Sequence, residues 1–570
     1  MKRAYLRSIL GAAAVEAVLL CGCGSGTDAP AAQTAAEQVA GETAAEQSGQ
    51  QGEVSQQQEQ LEQTEQAEQA EQTEKTEQEK QEDAMGYFEG LQLTESYKGL
   101  EDTNPLMTQR FGADPYALVY EDRVYIYMTA DAFEYGAYKK VEENTYSKIN
   151  QINVISTDDM VNFTDHGSIK VASKQGAATW AKNSWAPAAA WKEINGKPKF
   201  FLYFADNGGG IGVLQADSPT GPFEDPLGEA LISRQTPECA DVLWLFDPAV
   251  LMDDDGKAYL YFGGGVPEGK ADDPGTARVV ELGEDMISIV GTPTRINPPY
   301  LFEDSGIHKA GNKYYYTYSS NFQVDAAGTE KYGIEDGEIV CLESDSPMGP
   351  FTFKERILKN PGSTFGLGGN NHHCVFRFRD QWYITYHTRV LEQAMGVEKG
   401  YRCTHIDAFT MQEDGTIGEI KQTLKGREQL RYVDPYAVNR AASFAVMGGV
   451  NTVPADAVTK DCGSGNMALS DIESGDFIKV QGVDFGTGSA ASVTMTVRNK
   501  KDEQATGAVK ICLDSPEGTV LGCLSMDDIA EGENFTERSA ALFEKAEGVH
   551  DLYFVFAGEH YQIETWQFIK

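Results

Sequence analysis

Residues 243–265, LWLFDPAVLMDDDGKAYLYFGGG, set one aspartate, Asp247, between apolar strand-like runs that an acidic turn separates. A carboxylate with such neighbours is hard to solvate, so it is paired, ends a strand, or is there for chemistry. The same plan recurs in FGADPYALVYEDRVYIYMTAD (111–131), WAPAAAWKEINGKPKFFLYFAD (185–206), FEDSGIHKAGNKYYYTYSS (302–320) and NNHHCVFRFRDQWYITYHT (370–388). Each copy reads as two strands about a tight turn, with further strands such as QINVIST following and no long amphipathic helix between them. Copies at intervals of roughly sixty to seventy residues predict a five-bladed β-propeller, about four strands to a blade. The innermost strands of a propeller line a central channel. The opening residues Asp114, Trp185, Asp247, Glu303 and His372 are therefore expected around one axis. For a single Asp-Pro a turn-capping role would suffice. Three carboxylates held together raise one another's pKa without structural gain, which points to a catalytic set.

The chain of 570 residues is too long for one core, and its net charge of −40 argues against a nucleic-acid partner. A neutral polysaccharide suits that balance. At the start, Lys2, Arg3 and Arg7 precede an apolar segment too short to span a bilayer comfortably, so residues 1–22 read as a secretory signal. The segment LCGC resembles the bacterial lipobox, with Glu16 as a departure. It implies cleavage before Cys23, lipidation of that thiol, and an extracellular lipoprotein that meets the membrane only through its anchor. Residues 23–87, including EQLEQTEQAEQAEQTEKTEQEKQE, have no apolar stripe to pack and read as a disordered or fraying tether. Seven further cysteines lack metal-site spacing. Cys512 and Cys523 flank the turn SPEG, but the odd total argues against a complete disulfide framework.

At these residues the sequence resembles glycoside hydrolase family 43 over residues 88–432. The resemblance implies a five-bladed propeller with GADP placing Asp114 as general base, LFDPAV placing Asp247 as pKa modulator and FEDSG placing Glu303 as general acid. The motifs KNSWAPAAAWK, GGGIGVLQADSPTGPF, FEDSGIHK, GGNNHH and KGYR resemble the arabinoxylan arabinofuranohydrolase branch. That branch implies removal of α-L-arabinofuranosyl groups from xylan, with Trp185, Trp244 and Phe322 lining the pocket and Arg402 contacting the chain. It also implies a structural calcium ion held by His372 and water; a neutral histidine hydrogen-bonded in the channel is the alternative. No organic cofactor is implied. The family inverts, so Asp114 and Glu303 should stand roughly 6.5–9.5 Å apart to admit a water, with Asp247 keeping the acid protonated by like-charge repulsion. β-Xylosidase, arabinanase and a non-catalytic glycan-binding propeller are the rival readings.

Residues 433–570 alternate apolar and polar positions between glycine-rich turns, the pattern of an antiparallel β-sandwich of jelly-roll type. GDFIKVQGVDFG, LDSPEGTVLG and GVHDLYFVFAG resemble carbohydrate-binding modules of family 6. RAASFAV stands where those modules carry a calcium-ligating Glu-Ala-Glu, and Phe535 where a stacking tryptophan is expected. Fewer aromatic faces mean less contact area for sugar rings.

Overall fold

The computed structural model describes residues 79–530 and 532–570; the signal segment, Cys23 and the tether up to residue 78 lie outside the described residues. Each of the five repeated stretches forms a hairpin. In four of them two residues make the turn, and in Trp185–Ile194 with Lys197–Ala205 these are Asn195 and Gly196, both at positive φ, as the strand twist demands. Around these hairpins stand five antiparallel sheets, one after another along the chain. They begin with Ala113–Tyr120, Trp185–Ile194, Ala249–Met252, Leu301–Ala310 and His373–Phe378, and have three to five strands each.

The first strands touch one another in cyclic order, the fifth returning to the first. Closure is by side chains and not by strand pairing. One apolar cluster lies between each neighbouring pair: Val154 and Leu202 join the first and second sheets, Phe201 and Leu260 the second and third, and Tyr261 and Tyr316 the third and fourth. Ile339 and Ile384 join the fourth and fifth, and Ile126 and Phe376 the fifth and first. Tyr116 reaches across the ring, its hydroxyl donating to the Val250 carbonyl at 2.9 Å. The segment before the first sheet is tied to the last strand of the fifth, Cys403–Phe409, where Leu106 N–H donates to Thr404 O.

Two further sheets, built from residues 439–569, pack over a core containing Val493, Met495, Trp566, Ile478, Val509 and Phe554. They are fastened to the first sheet, because Ser443–Phe444 pairs with Thr164 and Phe163 as a fifth strand. Against the sequence boundaries, residues 84–100 pack on this C-terminal part. Ala84 and Phe88 lie beside Cys523, Thr94 N–H donates to Gly475 O, and the Lys479 ammonium donates to Leu100 O. The tether thus ends in an ordered strap before residue 88. Cys512 and Cys523 are buried free thiols, offset across their hairpin so that Cys512 faces Val520 and Cys523 faces Lys510.

Candidate active site

A bulge repeats in the innermost strands and decides which residues face the axis. Pairing shifts by one residue after Ala113, Trp185 and Glu303, where two residues stand against one on the partner strand. In each case the next residue takes positive φ: Asp114 at 47°, Ala186 at 38° and Asp304 at 71°, with Asp247 at 50° in the third sheet. Non-glycine residues are rarely held there unless the surroundings enforce it, and such strain gathers at functional sites. The structural equivalents of Asp114 and Asp247 are therefore Ala186 and Asp304. Trp185 and Glu303, expected at that position, stand one residue earlier. The row itself holds Asp114, Asp247 and Asp304, and Glu303 beside it makes four carboxylates in the cluster where the repeat predicted three.

All four are buried. Arg402 lies over Asp114, its Nη1 donating to Oδ1 at 2.7 Å. Asp131 holds the rest of that guanidinium in a two-point contact at 2.9 and 3.0 Å, and the Tyr146 ring stacks on it at 4.8 Å. Burial alone would raise the Asp114 pKa, but Arg402 and the neighbouring histidines hold it well below the usual carboxylate range. Asp114 is thus ionised at every working pH. Its backbone N–H donates to His387 Nδ1 at 3.2 Å, while His387 Nε2 donates to Asn370 O at 2.9 Å. His387 Nδ1 also lies 3.2 Å from Asp114 Oδ1.

Glu303 lies in the opposite condition. Burial, reinforced by the charges of Asp114 and Asp304, raises its pKa from 4.5 to about 8. Asn370 Nδ2 donates to Oε1 at 2.9 Å, which leaves Oε2 to carry the proton. Asp247 accepts the Asp304 N–H at 2.9 Å, and burial next to Glu303 raises its pKa too. Removal from water, more than like-charge repulsion, is the first cause of both upward shifts.

Asp304 links the carboxylates to the histidines. Its oxygens meet His372 Nε2 at 3.1 Å and His373 Nδ1 at 2.5 Å, and His373 Nε2 reaches Thr317 Oγ1 at 2.7 Å. With Nε2 engaged, His372 Nδ1 faces Asp114 Oδ1 at 3.6 Å and Asp247 Oδ2 at 3.8 Å, too far for a hydrogen bond. Donor atoms of His372, Asp247 and Glu303 lie within 4.8 Å of one another.

Around the carboxylates, Trp244 packs edge-on to Phe302, which meets Phe322 in the same way; Phe322 is 44% exposed. Trp185 is anchored by its Nε1–H on Tyr146 O at 3.0 Å. Arg402, expected to contact the substrate chain, is buried and committed to Asp114 and Asp131. Phe535 in the C-terminal part is covered by Arg498, 4.3 Å from its ring centre. Sequence reasoning missed Asp131, Asp304, Asn370 and His387. All four lay within quoted stretches: Asp131 ends FGADPYALVYEDRVYIYMTAD, Asp304 follows Glu303 in FEDSG, and Asn370 and His387 fall in NNHHCVFRFRDQWYITYHT.

The raised pKa of Glu303 has a consequence for stability. Between about 4.5 and 8 the native state holds a proton that the unfolded chain has released, so stability should fall as pH rises through that window. Glu303→Gln removes the dependence. Its melting temperature relative to the parent should be near unchanged at about pH 4 and highest above about pH 8.

An ionised carboxylate and a protonated one, gathered in one buried cluster of an all-β protein, define an acid–base hydrolase. Residues 103–417 match the family model of glycosyl hydrolases family 43, and residues 440–570 that of carbohydrate binding module family 6. The chain belongs to family 43 of the glycosyl hydrolases. It is 46% identical over 482 residues to an arabinoxylan arabinofuranohydrolase of Paenibacillus polymyxa, covering 82% of this chain and 74% of that one. It is 44% identical to an arabinoxylan arabinofuranohydrolase of Bacillus subtilis (strain 168), covering 83% and 93%. A crystal structure of a Bacillus subtilis arabinoxylan arabinofuranohydrolase in complex with cellotetraose matches with a TM-score of 0.78 and 42% identity, over 84% of this chain and 99% of that one.

Proposed function

We propose that this chain is an inverting hydrolase that removes α-L-arabinofuranosyl branches from arabinoxylan. Its five sheets are read as the blades of a propeller, supported by the cyclic order of their first strands. The two C-terminal sheets are read as a jelly-roll sandwich, with the boundary near residue 432. One observation carries the mechanism: Asp114 is held ionised by Arg402 while Glu303 is kept protonated by burial.

Glu303 Oε2 delivers its proton to the xylose oxygen as the glycosidic bond breaks. A water attacks the anomeric carbon from the opposite face and gives its proton to Asp114. Asp247 tunes the acid, and Trp185, Trp244 and Phe322 offer ring faces to the sugar. The substrate follows from the relatives' names and the near full-length match to them. Products from arabinoxylan, linear arabinan and xylo-oligosaccharides, compared by chromatography, separate this reading from β-xylosidase, arabinanase and plain glycan binding. Arabinose should appear from arabinoxylan, first as the β-anomer by proton NMR. Release of xylose alone, or of no pentose, would overturn it.

A calcium ion fits beside His372, whose Nδ1 faces Asp114 Oδ1 at 3.6 Å and Asp247 Oδ2 at 3.8 Å across a common space. His372 with water would hold it, since direct bonding to Glu303 would ionise the acid. Such an ion supplies positive charge among the carboxylates. A chelator should then lower the melting temperature of the parent but not of His372→Ala, because a ligand bound only to the native state stabilises it. No shift in the parent would favour the hydrogen-bonded neutral histidine. Cys23 is proposed as the lipidated anchor of a cell-surface protein. Membrane partition lost in Cys23→Ser is the check.

A further inference from the structure

A second recess of about 260 Å³ opens away from the carboxylates, where the outer strand of the first sheet meets the C-terminal module. That size is near the lower end for small-molecule sites, roughly 300 Å³. Its wall brings together Arg123, Arg431, Tyr432, Arg440 and Trp566.

An inventory of donors and acceptors indicates what could occupy it. Asp159 is spent within its own loop, accepting from Val161 N–H and Asn162 N–H at 2.8 Å each and from Asn162 Nδ2 and Gln429 Nε2. Asp434 accepts the Tyr436 N–H at 2.8 Å. Asp158 is shared, at 3.1 Å from Arg431 and 3.6 Å from Arg123. His166 is neutral near pH 7 because burial lowers its pKa to about 4, and both its nitrogens are occupied by Ser156 and Gly465. Arg123 is spent on Ser156 Oγ and Thr164 Oγ1 at 2.8 Å each, but the remaining donors are less fully used. Among the described residues no carboxylate pairs with Arg440, and the buried Trp566 Nε1–H has no acceptor. Tyr432 stands 57% exposed beside them.

The spare guanidinium of Arg440 next to an exposed phenol ring suits a ligand with a carboxylate and a flat apolar face. We propose that this recess binds a uronic acid unit, a carboxylated sugar such as an acidic xylan branch, apart from the catalytic cluster. The choice of a sugar over other carboxylates rests on the polysaccharide-hydrolase reading.

The full chain is titrated by calorimetry with a glucuronic-acid-bearing xylo-oligosaccharide, with the neutral oligosaccharide in excess to fill the catalytic cleft. Binding should persist under that excess and weaken with salt. Arg440→Ala and Tyr432→Ala should each weaken it about tenfold, the scale of one charge-assisted hydrogen bond or one stacking face. Their hydrolysis of an aryl arabinofuranoside and their melting temperatures should match the parent. Abolition of binding by the neutral ligand, equal competition by acetate, or unchanged affinity in both variants would overturn the site. Arabinose release absent from the parent while acidic-sugar binding persists would instead sink the catalytic reading and leave this one standing.

Discussion

Glu303→Ala is expected to lose arabinose release from arabinoxylan by on the order of 10²–10⁴, the usual worth of a general acid, yet to lose little on a nitrophenyl arabinofuranoside. The difference lies in the leaving group. A xylose hydroxyl is a poor leaving group and needs the proton as the bond breaks, whereas a nitrophenolate departs nearly unaided. Burial supplies that proton by raising the Glu303 pKa to about 8, so activity on arabinoxylan should fall as pH rises past that value. Activity on the aryl substrate should be much less sensitive there. Equal losses on both substrates would mean that Glu303 is not the acid, and Asp247, whose pKa is also raised, would be tested next.

The hairpins and the carboxylates were legible in sequence because both depend on local pattern: alternation makes the strands, and repetition carries their ends to one axis. The finer placement was not. A bulge of one extra residue exchanges which side chain faces inward, so Asp304 occupies the position equivalent to Asp114 and Glu303 sits one residue before it. No periodicity in FEDSG distinguishes these two neighbours. The hold of Arg402 on Asp114 was hidden for a different reason: it reaches across 288 residues of chain. Its task is set by which sheet closes against the first, and spacing carries no trace of that. The ordered strap at residues 84–100 escaped notice because its few apolar residues, Phe88 and Leu91 among them, gain meaning only against Phe477 and Tyr553 of the distant module. Burial outweighing repulsion at Glu303 is likewise a property of the closed ring and not of charge spacing.

Asp114→Asn tests the other half of the mechanism and should cost on the order of 10²–10⁴ on the aryl and the polymeric substrate alike, since both need an activated water. The amide keeps the shape and can still accept from Arg402, so the fold should survive while the base is lost. Two pH effects should accompany the loss. The parent's Asp114 is ionised far below its ordinary range, so no acid limb from this group is expected until strongly acidic pH. In the variant the residual activity should show its basic limb at lower pH, because the Asp114 charge is one of the causes that raise Glu303. Arg402→Lys separates geometry from charge: an ammonium keeps the positive field but cannot span Asp131 and Asp114 with the same fork. It should lose part of the activity, with an acid limb moved upward as the Asp114 pKa rises. Retention of parent-like rates in Asp114→Asn on either substrate, or first release of the α-anomer by the parent, would exclude Asp114 as the base of an inverting displacement.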